Sequence, residues 1–271
     1  MNYKGISIRN LFHRITTANW PEHMSFAQSA LGGGHEWVDR NGRLHRLDGP
    51  AYIDPHYQCW YVHGQCHREG GPAWINSDGS KFWSQHGKDH REDGPAREWA
   101  SGDKEWLIQG KLHREDGPAI ERADGTHEWY RDDLRHRSAG PALVHANGSK
   151  EWFIQGKRHR EDGPAIERAD GTHEWYRDDL LHRSDGPALV HADGSKEWFI
   201  QGKRHREDGP AIERADGTHE WYRDDLRHRS DGPAVIYPDG TKAWHLHGLL
   251  IQFIRRGYVP EDSLSHANGP D

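Results

Sequence analysis

The chain is 271 residues long, enough for one large domain or two ordinary ones. Only 33% of its residues are hydrophobic, which supplies a thick two-layer core poorly, yet 13 Trp and 9 Tyr set it apart from disordered sequence. Burial therefore has to be concentrated in a few large side chains. A formal charge of −7 lacks the basic footprint of a nucleic-acid binder, and no run approaches the ~18 apolar residues of a membrane span.

Residues 1–34 do not repeat and read as an N-terminal cap. Within them PEHMSFAQSAL, Pro21–Leu31, predicts a helix stopped by Gly32-Gly33-Gly34. The first twenty residues are too polar and interrupted for a signal peptide. Cys59 and Cys66 are too few for a disulfide framework, so free thiols and a cytoplasmic setting (host cytoplasm or virion for a viral chain) are expected.

From residue 35 to residue 248 the sequence keeps a period of 23. Trp37, Trp60, Trp83, Trp106, Trp129, Trp152, Trp175, Trp198, Trp221 and Trp244 mark every step and are expected to form a structural stack along the array. A second register runs from His67 to His228, each His followed by Arg and, four residues after it, by the start of a Gly-Pro-Ala triplet. A third is a Gly, mostly after Asp or Asn, from Gly79 to Gly240. The first unit slips: His45 lies 22 residues before His67 while Trp37 and Trp60 stay in step, so a residue gained before Gly42 is lost before Trp60. Units also alternate between two flavours. His113–Arg158 and His159–Arg204 differ only at Arg135/Leu181, Ala139/Asp185 and Asn147/Asp193. Near-identical tandem pairs are tolerated in arrays where each repeat touches its neighbours.

Asp-Gly between two short runs signals a β-hairpin. A two-residue loop at Asp124-Gly125 would set Ile120 opposite Trp129 and place Ile120, Arg122, His127 and Trp129 on one side. Gly-Pro ends each strand pair, and a second turn lies at Gln155-Gly156-Lys157 or Asp132-Asp133-Leu134. The expected fold is all-β: an elongated antiparallel hairpin array of about ten units rising ~9–10 Å each. After the last repeat, residues 249–271 read as a C-terminal cap strand and tail: Leu249–Ile254 is apolar enough to seal the final edge, Arg255-Arg256 protect it, and Ser263–Asp271 reads as disordered.

These residues resemble the MORN class of ~23-residue hairpin repeats, in the divergent form found in large viruses, phages and bacteria. Glu151-Trp152-Phe153-Ile154-Gln155-Gly156-Lys157-Arg158-His159 is similar to the aromatic half of that repeat, and Asp170-Gly171 to its closing turn; Arg160–Ala165 departs from the usual Gly-x-Gly. The resemblance implies an interaction or scaffolding role, in some members a proposed membrane-surface role, and brings no catalytic residues; no cofactor is expected.

The chemistry-bearing residues agree with a non-enzymatic reading. No nucleophile elbow, phosphate loop or CxxC pair is present. The His-Arg-x-Asp-Gly-Pro-Ala motif reads first as structural, with His and Asp on turn backbone and Arg over an aromatic. Its His residues, ~9–10 Å apart, cannot share one metal ion, and no metal site is assigned. Charging of stacked His near pH 6 is a further reading. Glu105, Glu128, Glu151, Glu174, Glu197 and Glu220 form an acidic stripe, expected to be solvated and to attract cations weakly. The expected binding residues are Arg122, Arg168 and Arg214 with His127, His173 and His219 and Tyr130, Tyr176 and Tyr222, facing a protein partner or a second copy. The alternative is a glycan- or metal-ion-binding module.

Overall fold

The computed structural model describes residues 26–29 and 34–256. Every regular element among them is a β-strand, most only two residues long, and all pairings are antiparallel. The chain divides into two compact units, residues 1–124 with 130–133 and residues 125–129 with 134–271.

In the first unit the strands His35–Val38, Tyr52–Ile53, Tyr57–Cys59, Trp74–Asn76, Lys81–Phe82, Arg97–Glu98, Lys104–Glu105 and Ile120–Glu121 pair in chain order. Phe26–Ser29 adds outside His35–Val38, with Phe26 opposite Val38. The helix expected over Pro21–Leu31 is therefore wrong at Phe26–Ser29, where ladder pairing overrides a weak helical pattern; the rest of that segment, like the tail Ser263–Asp271, lies outside the described residues. In the second unit the meander runs from His127–Glu128 through Leu143–Val144 and onward to Leu249–Ile254 by the same rule.

Each repeat makes one hairpin of this main sheet and one small hairpin beside it. Ile166–Glu167 pairs with His173–Glu174, then Tyr176–Arg177 pairs with Leu180–Leu181. Trp is the junction between the two. In one repeat the Trp152 N–H donates to the Ala165 carbonyl (2.8 Å), while the Trp152 carbonyl accepts from the His159 N–H (3.1 Å). Ala165 is fully buried, as are its counterparts in every Gly-Pro-Ala triplet from Ala51 to Ala234.

The main-sheet loop has three residues, not two. The Arg168 N–H donates to the Thr172 carbonyl (2.9 Å), Gly171 closes back on Arg168, and Gly171 has φ +91°. This is a type I turn followed by a left-handed residue, which Gly adopts without Cβ strain. Asp170 accepts the Thr172 N–H (2.8 Å). The odd loop shifts the register by one: Ile166 faces Glu174 and Glu167 faces His173. The two-residue type I′ turn sits in the small hairpin instead, where Gln155 and Gly156 (φ 50° and 79°) or Asp178 and Asp179 (φ 51° and 65°) take positive φ.

The slip in the first unit has a structural form. The small hairpin after Trp37 has a three-residue loop closed between Asp39 and Arg43, while the next main hairpin has only Pro55 and His56 between Asp54 and Tyr57. Insertion and deletion both fall in turns, and the junction Trp keeps its place.

The corner motif holds the junction. Arg160 lays its guanidinium over Trp152, Cζ 4.1 Å from the ring centroid. Its Nε donates to Asp162 (3.0 Å) and its Nη1 to the Pro164 carbonyl (3.1 Å) and to Glu167 (2.9 Å). The same stack joins Arg46 to Trp37, Arg68 to Trp60, Arg91 to Trp83, Arg114 to Trp106, Arg137 to Trp129, Arg183 to Trp175, Arg206 to Trp198 and Arg229 to Trp221. The Arg160 side chain is 22% exposed and Asp162 is 86% exposed. The carboxylate is thus a surface partner worth little, and the partly desolvated stack carries about 1–2 kcal/mol. Gly163 leaves room for the stack: a Cβ there would sit 2.9 Å from Arg160 Cζ and push the guanidinium aside.

Gly163→Ala should therefore lower unfolding stability by about 1 kcal/mol, the scale of one cation–π contact. The loss should vanish in an Arg160→Ala background in a denaturant double-mutant cycle. An equal loss in both backgrounds would place the strain elsewhere.

Candidate functional site

Two faces of the main sheet follow from the observed register. Directly paired residues project to the same side, so Ile166, Glu174, Leu189, Glu197, Ile212, Glu220 and Val235 form one continuous row. This row is internal: Ile166, Glu174, Ile212 and Glu220 are each less than 10% exposed. The small hairpins contribute Phe153 and Phe199, also buried. The other face carries Lys150, Glu167, His173, Val190, Lys196, Glu213, His219 and Ile236.

The acidic stripe is accordingly not solvated. Glu220 is clamped by Arg214 and Arg227 (2.8 Å each) and accepts from the Tyr222 hydroxyl (3.1 Å). Burial pushes its carboxyl up, but the two guanidiniums and the hydroxyl outweigh that and hold it below the usual range. Glu174 takes Arg168 Nε (2.7 Å) and the Tyr176 hydroxyl (3.0 Å). Burial and the Glu174 charge push Tyr176 up to about 12. In the alternate flavour Glu151 and Glu197 take His145 and His191 (3.1 and 3.2 Å) with Arg158 and Arg204. The chain's own cations occupy the stripe that was expected to attract external ones. Glu167 and Glu213 face His173 and His219 rather than a second carboxylate.

The expected binding residues divide between the faces. Arg168 and Arg214, about half exposed, serve the internal Glu row, as do the hydroxyls of Tyr176 and Tyr222. His173 and His219 lie on the opposite face, their rings about 6 Å from Trp175 and Trp221. Arg122 is exposed, while His127 and Tyr130 are half-buried, with the His127 ring 6.2 Å from Trp129. The two-residue loop had placed Arg and His on one side; the odd loop separates them.

From His136 to His228 the ladder His residues clasp the turns of the following repeat in two alternating ways, whereas His45, His67 and His90 all use the first of them. In one, the turn N–H of Gln155, Gln201 or His247 donates to Nδ1 of His136, His182 or His228 (3.1–3.2 Å). That Nδ1 must be unprotonated. In the other, Nδ1 of His159 and His205 lies 3.1 Å from the carboxylates of Asp178 and Asp224, and must carry the proton. Asp179 completes the second clasp: its N–H donates to the Arg158 carbonyl and its carboxylate accepts the Arg158 N–H. In the first clasp Gly156 takes the equivalent place, where a Cβ would meet Leu134 at 3.3 Å. Each turn flavour thus fits the other flavour beneath it.

What remains exposed is a row of clefts along the Arg-x-Asp-Gly-Pro corners of the second unit. One is lined by Arg183, Asp185, Pro187, Trp198, Ile200 and Asp208. The next corners repeat the design with Arg160, Asp162 and Trp175, and with Arg206, Asp208 and Trp221. The rim acids Asp162, Asp185, Asp208 and Asp231 are about 80% exposed, and the adjacent Arg holds each below the usual carboxylate range. Sequence reasoning assigned these Asp to structure; their doublets with Glu161 and Glu207 were the available signal.

Among the described residues no three His, Cys, Asp or Glu side chains come together as a metal site, and no helix is long and apolar enough to cross a membrane. No family model matches the chain, and no curated protein matches it.

At neutral pH, nitrogen-detected NMR should find His136 and His182 as the Nε2–H tautomer and His159 and His205 as the Nδ1–H tautomer; one shared tautomer would contradict the alternating clasp. Desolvation, with the nearby His247 and Arg223, lowers the His228 pKa. Its folded value lies below the unfolded value of about 6.5, so its stabilising contribution is present above that pH and is lost as pH falls through the folded value. Replacing His228 by Gln should flatten the fall in stability below pH 6.5 in urea titrations, and an unchanged slope would refute the assignment.

Proposed function

We propose that the chain is a non-enzymatic repeat scaffold of the MORN-like type, whose row of corner clefts binds an extended basic segment of a partner protein. The observation that carries this reading is the recurrence of one cleft design at 23-residue steps, with a Trp and Ile or Tyr floor between exposed, ionised Asp residues. A Lys or Arg side chain suits both parts: its methylenes cover the floor while its charge meets the rim. The repeat supplies the same environment many times over, which suits multivalent binding better than a unique reaction centre. Of the residues first expected to bind, Arg168, Arg214, Tyr176 and Tyr222 are engaged with the internal Glu row, and the rings of His127, His173 and His219 lie about 6 Å from Trp. The binding surface therefore moves to the corners. The metal-ion alternative gains nothing from the ligand geometry among the described residues.

Calorimetric titration with an eight-residue Lys-Ser alternating peptide tests the proposal. Binding should weaken at least tenfold, about 1.4 kcal/mol, in Glu161→Gln/Glu207→Gln/Asp208→Asn. It should persist in Asp170→Asn/Asp193→Asn/Asp216→Asn, which removes equal charge at the hairpin tips. Absence of binding at low salt, or equal loss in both variants, would overturn it.

A further inference from the structure

The last strand, Leu249–Ile254, breaks the pattern of every repeat before it. Five of its six residues pair with Lys242–Leu246, the register shifting between Trp244 and His245 so that Ile251 has no partner, whereas most other strands pair over two residues. Ile251 and Gln252 stand 23 residues after the ladder His228 and its Arg229, so both corner residues are missing and Gln252 faces Trp244. All six side chains are exposed, Leu249 at 74%, Ile251 at 64% and Phe253 at 55%. This run was expected to seal the array: it ends the ladder, and among the described residues no strand pairs along its outer side.

We propose that this strand is a two-fold dimerisation edge, pairing antiparallel with the same strand of a second copy. Several observations select that occupant. No described strand pairs along its outer edge, whose backbone groups are a template for strand addition. The six residues carry no charge that would blunt the edge, and Arg255-Arg256 follow at one end only. Antiparallel pairing about a two-fold axis places the two Arg pairs at opposite ends of the joint strand; parallel pairing would set them side by side. An isologous contact of this kind closes at two copies. The chain's own following segment, residues 257–271, offers only Tyr258, Val259 and Leu264 as large apolar residues, too few to cover both sides of the strand. This edge is separate from the corner clefts, so either proposal can fail alone.

Sedimentation velocity on the full chain at micromolar concentration decides it. The expected species has twice the 31.2 kDa chain mass. Ile251→Lys and Leu249→Lys should each raise the dimer dissociation constant by about two orders of magnitude, the effect of placing an unpaired charge in an apolar contact. Far-UV circular dichroism should stay unchanged, because both side chains are already exposed. A monomeric wild-type protein, a dimer that survives both substitutions, or growth beyond two copies would each overturn the proposal. So would a wild-type monomer that dimerises only when residues 2–25 are deleted, because the occupant would then be the chain's own N-terminal segment.

Discussion

One contact sets the repeat: an Arg guanidinium lying on the indole of its own unit, about 4 Å from the ring. The Trp backbone joins the main hairpin to the small one, and the Arg side chain ties the indole to the Asp and Pro of the corner. Gly leaves room where the Arg passes, and Ala stands where the corner carbonyl meets the Trp N–H in a fully buried position. The 23-residue period is the length of chain needed to return to this contact. Turn length is free to vary as long as that return is kept, which the first repeat illustrates by adding a residue to one turn and dropping one from the next.

The 46-residue super-period has its own physical cause. A Gln-Gly turn offers an N–H to a His Nδ1 that must accept, and an Asp-Asp turn brings a carboxylate to a His Nδ1 that must donate. The internal row alternates in step, Glu with Arg and Tyr in one unit, Glu with His and Arg in the next. From His136 onward unlike units alternate as neighbours, each turn meeting the His that matches it. Tandem duplication of the pair therefore preserves every contact, and three near-identical stretches follow. The differences between copies fall where the structure absorbs them. Asn147 and Asp193 both accept a Ser N–H. Leu181 replaces an Arg while Glu174 keeps Arg168 and Tyr176. Ala139 removes the carboxylate partner of Arg137, which retains its stack on Trp129.

The fold class was legible because the period is carried by Trp, Gly and Pro, whose roles are tied to backbone geometry. The Arg-on-aromatic part of the corner was legible for the same reason. The face assignment was not. Asp-Gly serves both a two-residue turn and a three-residue turn with a left-handed Gly, and one residue of difference moves His173 to the face opposite Arg168. The burial of Glu174 and Glu220 was equally hidden. Alternating charge reads as solvent exposure until the register shows each Glu enclosed by aliphatic neighbours and answered by Arg. In a chain with few aliphatic residues, paired charges and small Ala side chains complete the interior.

Hydrogen exchange of Arg160→Met tests the central contact most directly, because Met keeps the side-chain bulk and removes the guanidinium. The account predicts faster exchange at the Trp152 and His159 amides and in the adjoining repeats, with distant repeats of the same unit still protected, as expected when stability is local to neighbours. Unchanged protection at Trp152 would contradict the claim that the Arg–Trp contact sets the repeat.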